Sequence, residues 1–536
     1  MSLHVNKIRC ADALVKILEN SNVKFIFGHP GEQILPFYDA LKDSSIKHIL
    51  MRHEQGAAHA ADGYARTSFN PGVCVATAGP GALNLVMGVA TAFKDSVPMI
   101  VITGDVPREL KGKNVFQDLD LNNIFKNITL ESFYVDSPED GVLKLKYAFE
   151  LFNHGRTGPI HLNFPKDVLD ELLDMHNLDV TIGCSQTTPL KGVEDAINLI
   201  ENSKKPLILA GSGIIWGHAI EELRNFTIKN SIPIVTTYSA RGVIPEDNPL
   251  CLGMIGLRGT TAANIAGKNC DLLIALGCRF SERTSLGIGK TDIIHVNSDY
   301  TVLHGKIKIQ GDAGEFLDKV KDINTKNTEE WLNDLESHKR TYKIKTNYDD
   351  VPIKPQRAIK EIIDASNHLT TISDAGTHTT WVNLLKRIIK PSEMIFSGGF
   401  GPMGYGIPAA IGASIAKPKE KIILIVGDGG FQMTEQELAV ISQEQMEILI
   451  CIIDNSCLGI IKQWQEMNYR ESFEVDLENP DFIELAKAYN INGKLVITPD
   501  EVFGTVKNAL KIKGPYIIDI RVDKEEGIIL PKKILP

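Results

Sequence analysis

IILIVGDGGFQMTEQELAVISQEQMEILICIIDNSCLG, residues 422–459, reads as a strand, a glycine-bracketed turn, a helix, a second strand and a terminal asparagine. That order makes one βαβ unit, because short Ile/Val-rich runs on either side of a helical period are the pattern of parallel strands buried on both faces. Crossovers of this kind are right-handed in nearly all cases, and neighbouring strands lie about 4.8 Å apart, so the two strand ends open on the same sheet edge. Asp428 and Asn455 sit at those ends and converge. A carboxylate and an amide oxygen are hard ligands suited to Mg2+, which fills the rest of its octahedral shell with phosphate oxygens and water. Gly427, Gly429 and Gly430 let backbone N–H groups approach an anion at the helix start, where the helix dipole also favours negative charge. A metal-bound diphosphate is the natural occupant. GDG by itself reads equally well as a tight turn with a solvated aspartate.

The same alternation runs outward through the chain, in VCVATAG (73–79), MIVITGD (99–105), PLILAGSG (206–213), IPIVTTY (232–238) and DLLIALG (271–277). Polar stretches at 175–192 and 324–355 interrupt it, which predicts three α/β units at 1–175, 190–325 and 355–536, each a mostly parallel sheet flanked by helices. A length of 536 residues agrees with about three domains. Residues 79–105 and 398–428 repeat one order of Gly-rich turn, small-residue helix, charged turn and strand ending in GD, which fits two units of one topology facing a shared site.

Composition excludes other classes. The net charge of -10 offers no basic field for a polyanion, so nucleic acid is not an expected partner. No apolar run reaches the ~18 residues of a membrane span, and the opening MSLHVNKIRCADALVKILEN reads as an ordinary first helix. Eight scattered cysteines without a CxxC pair read as reduced core thiols of a cytoplasmic protein. HEQGAAH sets His53 and His59 six apart, whereas the two-histidine zinc helix needs a spacing of about four.

The GDG, the following helix and strand and the final Asn together resemble the signature of thiamine-diphosphate-dependent enzymes. FGHPGEQILPFYDAL (27–41), MRHEQGAAHAADGYAR (51–66) and TAGPGALN (77–84) resemble the opening domain of that family, close to the acetolactate synthase catalytic subunits, and the likeness covers nearly the whole chain. It implies a pyrimidine-binding first unit, a central Rossmann-like unit and a diphosphate-binding third unit. It also implies Mg2+ on Asp428, Asn455 and the Cys457 carbonyl. Glu54 matches the glutamate that contacts the aminopyrimidine ring and shares its proton, while Pro30, Gly31 and Asn84 fall in the matching cofactor segments. In SGGFGPMGYGIPAAIGA (397–413) the GxGxxG of Gly399, Gly401 and Gly404 allows a dinucleotide site. The family match instead makes Met403 a wedge between the cofactor rings, with Gly401 beside it. His378, Leu458 and Gly459 join the cofactor set.

Further matches fall where that family handles substrate. Phe116 and Gln117 match a pair near the reacting carbon, Trp464 an acceptor-pocket tryptophan, and Arg283 the arginine that pairs with an acceptor carboxylate through its planar fork. The resemblance implies decarboxylation of pyruvate and its joining to a second 2-oxo acid, as in branched-chain amino acid biosynthesis. It further implies a homodimer or homotetramer with the site between chains, a regulatory subunit as a further partner, and FAD in the central unit as a structural group. Relatives of that unit hold ADP or nothing, and Asn297 stands where flavin-binding members carry an acid. Two more departures follow: Leu130 occupies the place of a substrate-side lysine, and the tail ends early at EEGIILPKKILP (525–536). Leu130 motivates the alternative of another thiamine-diphosphate decarboxylase or acyltransferase; a dinucleotide oxidoreductase or a silent subunit is the reading from outside the class.

Overall fold

A computed structural model describes residues 7–153, 155–174, 189–325, 328–341 and 344–528. Three six-stranded parallel sheets form its frame. The first holds β1 (Phe25–Gly28), β2 (Lys47–Leu50), β3 (Gly72–Ala76), β4 (Met99–Asp105), β5 (Glu131–Tyr134) and β6 (Pro159–Pro165) in the order β2-β1-β3-β4-β6-β5. The central sheet holds β7 (Pro206–Ala210), β8 (Ile234–Thr236), β9 (Cys251–Met254), β10 (Leu272–Leu276), β11 (Asp292–Asn297) and β12 (Ile307–Gln310), ordered β9-β8-β7-β10-β11-β12. The third holds β13 (Thr371–Ser373), β14 (Met394–Ile395), β15 (Ile422–Gly427), β16 (Ile448–Asp454), β17 (Asn492–Val496) and β18 (Tyr516–Arg521), ordered β14-β13-β15-β16-β18-β17. The first and third orders are the same, so the weak sequence echo is a repeat of topology. The central order is that of a dinucleotide-type doubly wound sheet.

Burial follows from the strand sequences. Ile422–Val426 and Ile448–Asp454 are buried throughout, as continuous apolar runs in parallel sheets covered on both faces must be. Five helices matter for the site: α1 (Glu54–Ser68), α2 (Pro80–Asp95), α3 (Thr377–Leu385), α4 (Gly406–Ala416) and, after Asn455, α7 (Gly459–Tyr469), with two short helices between them. The glycine turn winds into a separate short helix, α5 (Asp428–Gln432), while the helix read over TEQELAVISQEQ, 434–445, opens as a tight 3-10 turn at Glu435–Glu437 and runs on as α6 (Leu438–Gln443). At the tight start the Thr434 hydroxyl donates to the Gly404 carbonyl at 3.1 Å, and the Glu437 carboxylate is drawn to the first unit. A local period cannot report such distant ties.

The polar stretch 324–355 also differs from a plain connector. It contains a helix, Glu329–Thr341, whose Trp331 and Leu335 are buried against central-unit residues, and the Trp331 Nε1 donates to the Pro206 carbonyl at 3.3 Å. Most of the first polar stretch, residues 175–188, and the final residues 529–536 lie outside the described residues. The seven cysteines among the described residues are buried. None of the described helices is long and apolar enough to cross a membrane.

The first and third units meet through α1 and α4. A Cβ on Gly63 would stand 2.3 Å from the Ala409 carbonyl oxygen, and one on Gly412 only 2.0 Å from that of Ala60. Glycine is required there because the backbones touch. Gly412→Ala therefore lowers stability by about 1–3 kcal/mol as an overpacked contact, read as a drop in Tm. Gly504→Ala, at a helical position with open space within 4 Å, holds or slightly raises Tm.

Candidate active site

The carboxyl ends of β13, β15 and β16 open on a cleft of about 280 Å3, roofed by central-unit residues Tyr238, Arg258 and Arg283. Its floor is the Gly427–Gly430 turn, and Asp428 there is 2% exposed. Burial, with the Asp454 charge adding to it, pushes the Asp428 carboxyl up to about 6, against a hydrogen bond that Asn479 donates. That bond, from Asn479 Nδ2 to Asp428 Oδ2, is 2.8 Å, and the same amide group reaches Asp454 Oδ1 at 2.9 Å.

The Asn455 side-chain amide, after β16, places one of its two ends 2.8 Å from the Cys457 carbonyl and 3.2 Å from Asp428 Oδ1. With its NH2 there the amide donates to both oxygens; with its oxygen there, three oxygens converge as the ligands of one cation would. An ion holding oxygens at about 2.0–2.1 Å in an octahedron spaces neighbouring ligands by about 2.9 Å, close to these separations. Gly459, at the start of α7, leaves room for the amide, since a Cβ there would meet Asn455 Nδ2 at 2.7 Å.

The other third-unit residues gather round this point. His378 on α3 is buried, its Nε2 has no hydrogen-bond partner among the described residues, and burial pushes the ring down to about 4. It stays neutral and can donate or accept. The Met403 Cε and Leu458 Cδ2 both come within 3.2 Å of where a Gly429 Cβ would be, so a larger residue at 429 would meet both. Gly401 lines the same wall, its N–H donating to Ser397 Oγ at 3.1 Å. Trp464 on α7 lines the mouth and is 45% exposed.

Sequence reasoning missed several groups. Asp374, after β13, accepts from the backbone N–H of Gly404 at 3.1 Å and Gly406 at 2.9 Å, clamping the Met403 loop to the sheet. Arg258 lies beside Arg283 and Tyr238, and no carboxylate pairs with either arginine among the described residues. Asn479 was missed as well. DAG, LRG and ENP carry no distinctive spacing; only the fold brings them to the cleft.

The first-unit residues form a separate locus and do not line this cleft. Glu54, the first residue of α1, accepts from Asn84 Nδ2 at 2.9 Å, and its other oxygen would stand 3.1 Å from a Cβ on Gly81. Gly31, after Pro30, packs on Thr77, and Gly79 on Gln117. Gln117 has φ +65° and a buried Oε1 without a partner among the described residues, whereas Phe116 is 75% exposed. Leu130 points elsewhere: it packs against the first-unit core, 3.0 Å from a Cβ placed on Gly158.

Sheets of this order with a Gly-Asp-Gly turn at the carboxyl edge define a class of cofactor enzyme, and comparison with known proteins agrees. Models of the N-terminal, central and C-terminal domains of thiamine pyrophosphate enzymes match residues 8–124, 193–320 and 374–520. A probable acetolactate synthase large subunit of Methanocaldococcus jannaschii is 42% identical over 97% of this chain and 92% of its own. The acetolactate synthase large subunit of Cyanidium caldarium is 38% identical over 96% and 94%, and the isozyme 2 large subunit of Escherichia coli 34% over 97% and 96%. The chain belongs to the thiamine pyrophosphate enzyme family and groups within it with the acetolactate synthase large subunits.

The Asp374 clamp gives a direct test. Asp374→Asn keeps the shape but loses the charge that two backbone N–H groups share, and such bonds contribute about 1.5–3 kcal/mol. Thiamine diphosphate affinity, followed by quenching of intrinsic fluorescence, falls by about tenfold or more.

Proposed function

We propose that this enzyme decarboxylates pyruvate and joins the two-carbon unit to a second 2-oxo acid, as an acetolactate synthase. The observation that carries the proposal is the convergence of Asp428, Asn455 and the Cys457 carbonyl beside a glycine-walled cleft in a chain of this family. These three oxygens would hold Mg2+, and the Gly429 and Gly430 N–H groups with His378 would receive the diphosphate. Bound thiamine diphosphate supplies a thiazolium carbon that adds to the oxo group and accepts the electrons released as carbon dioxide leaves. The protein's part is to orient and to move protons. Glu54 would exchange a proton with the aminopyrimidine, Met403 and Leu458 would support the ring system, and the roof would exclude water. Arg283 would meet the acceptor carboxylate, with Trp464 bounding the acceptor pocket and Phe116 and Gln117 near the reacting carbon.

Glu54 and the diphosphate cleft lie apart within one chain, so the proposal requires a homodimer in which each cleft is completed by the partner's first unit. Exposed Leu83 and Met87 on α2, with exposed Leu35 and Phe116 of the same unit, support such association. The relatives' designation as large subunits supports a smaller partner chain as well. FAD is not carried into this proposal. At the switch point of the central sheet Asn297, standing where the resemblance would place an acid, donates its amide to the Cys278 carbonyl at 2.9 Å.

Two measurements test the reading. Purified protein with Mg2+, thiamine diphosphate and pyruvate forms acetolactate, detected as acetoin after acid treatment, and Glu54→Gln abolishes turnover while cofactor binding persists; acetaldehyde alone, or an active Glu54→Gln, would refute it. Asn479→Ala, which frees the Asp428 carboxylate from its hydrogen bond, weakens Mg2+ activation by about 10–100-fold, seen as a higher Mg2+ concentration at half-maximal rate.

A further inference from the structure

Glu437 lies outside the cleft, within the 422–459 stretch but with no role read for it there, and its carboxylate is fully buried. A buried carboxylate is costly unless its oxygens are met. Here Oε2 accepts the Arg52 backbone N–H at 3.1 Å and Oε1 accepts that of His53 at 3.0 Å. These are the last two residues before Glu54. His53 is the N-cap of α1 and accepts the Gln55 N–H through its ring at 3.1 Å, so the donors at this helix start are shared between a residue of its own and a carboxylate from the third unit.

A second observation points to the same place. A Cβ on Gly56 would stand 2.3 Å from Glu437 Oε1, so the carboxylate fills the slot that this glycine leaves. Residues on both sides of Glu54 are thus held by one side chain, while the Glu54 carboxylate itself is free to reach Asn84. Nothing else from the third unit is hydrogen-bonded to the backbone of residues 52–56 among the bonds seen in the described residues.

We propose that Glu437 is a positioning residue for Glu54, fixing the first turn of α1 so that the Glu54 carboxylate keeps the orientation needed to exchange a proton with the cofactor. The inference rests on the thiamine-diphosphate reading of Glu54 and adds a residue that touches neither cofactor nor substrate. A cap that served stability alone would alter Tm; a positioning residue alters the proton step at unchanged cofactor affinity.

The experiment compares wild type, Glu437→Gln and Gly56→Ala as holoenzymes loaded with Mg2+ and thiamine diphosphate. The rate of deuterium exchange at the thiazolium C2 proton is followed by acid quench and NMR, alongside cofactor Kd and Tm. Both variants are expected to slow exchange by about tenfold or more, with Kd within about twofold of wild type. Gly56→Ala crowds the carboxylate without removing it, so it decides the matter if Glu437→Gln does not fold. Restoring the slot by adding Glu437→Ala to Gly56→Ala returns Tm towards wild type and leaves exchange slow. Wild-type exchange in a folded Glu437→Gln, or exchange slowed only in proportion to lost cofactor binding, overturns the proposal. A wild-type holoenzyme that exchanges no faster than free cofactor overturns the Glu54 reading itself, and this inference with it.

Discussion

The contact of α1 with α4, at which Gly63 and Gly412 let two backbones touch, sets the geometry of everything else. Close approach of small residues is stiff, because no flexible side chain lies between the helices to absorb a shift. Two sheets of one topology are locked back to back through it. Asp62, Asp95, Arg66 and the Tyr405 hydroxyl fill the remaining space as a buried network, with Arg66 Nε 2.7 Å from Asp62 Oδ1 and the Tyr405 hydroxyl donating to the same oxygen at 2.7 Å. A buried arginine between two carboxylates needs all its partners, so the network penalises any other relative placement of the units. Glu54 sits on the first-unit side of this contact and does not line the cleft that holds Asp428.

Much of this was readable because it was local. The turn at 427–430 and Asn455 sit at the ends of adjacent parallel strands, and the register pairing Gly427 with Ile453 is what βαβ geometry demands. The echo between 79–105 and 398–428 survives as identical strand orders, since both arise from the same alternation of apolar runs and small-residue helices. What could not be read depends on contacts between elements remote in sequence. Asp374 acts on N–H groups some thirty positions away, and Asn479 reaches Asp428 from 51 positions further along. The 3-10 opening of the helix expected over 434–445 was hidden for the same reason, as the 3.6-residue period is intact while Thr434 and Glu437 are each tied to other elements. Trp331 and Leu335, set in a polar surrounding, looked like part of a connector until the central sheet covered them.

The cleft is electrostatically unfinished in a consistent direction. Asp374 and Asp428 are each pushed up to about 6 by burial, and His378 is pushed down to about 4 for the same reason. Low polarity raises the cost of every lone charge, which makes a neutralising ion worth more there than in water. A divalent cation beside Asp428 and a diphosphate beside the glycine turn would supply charges of both signs at once. On the roof the two arginines lie together without a carboxylate, so the same cleft presents cation to its upper side and acid to its floor. An anionic substrate entering above a metal-bound diphosphate would meet that gradient in the right sense.

Leu130 weighs in the same balance. An apolar side chain packed on Gly158 contributes to the first-unit core and offers nothing to a carboxylate, so in the proposed reaction recognition of a 2-oxo acid would fall to other groups, such as the arginines of the roof. Glu437 completes the division of labour. It lies nine residues after Asp428 in the chain, follows directly from the segment that walls the diphosphate turn, and ends on the backbone next to Glu54. In the dimer proposed above, one chain would give its third unit to one cleft and its first unit to another, and the Glu437 carboxylate ties those two units together. The short helix α5 and the tight turn after it join the glycine turn to Glu437, so the cleft floor is connected to the start of α1 by one short run of chain and the two hydrogen bonds that Glu437 accepts.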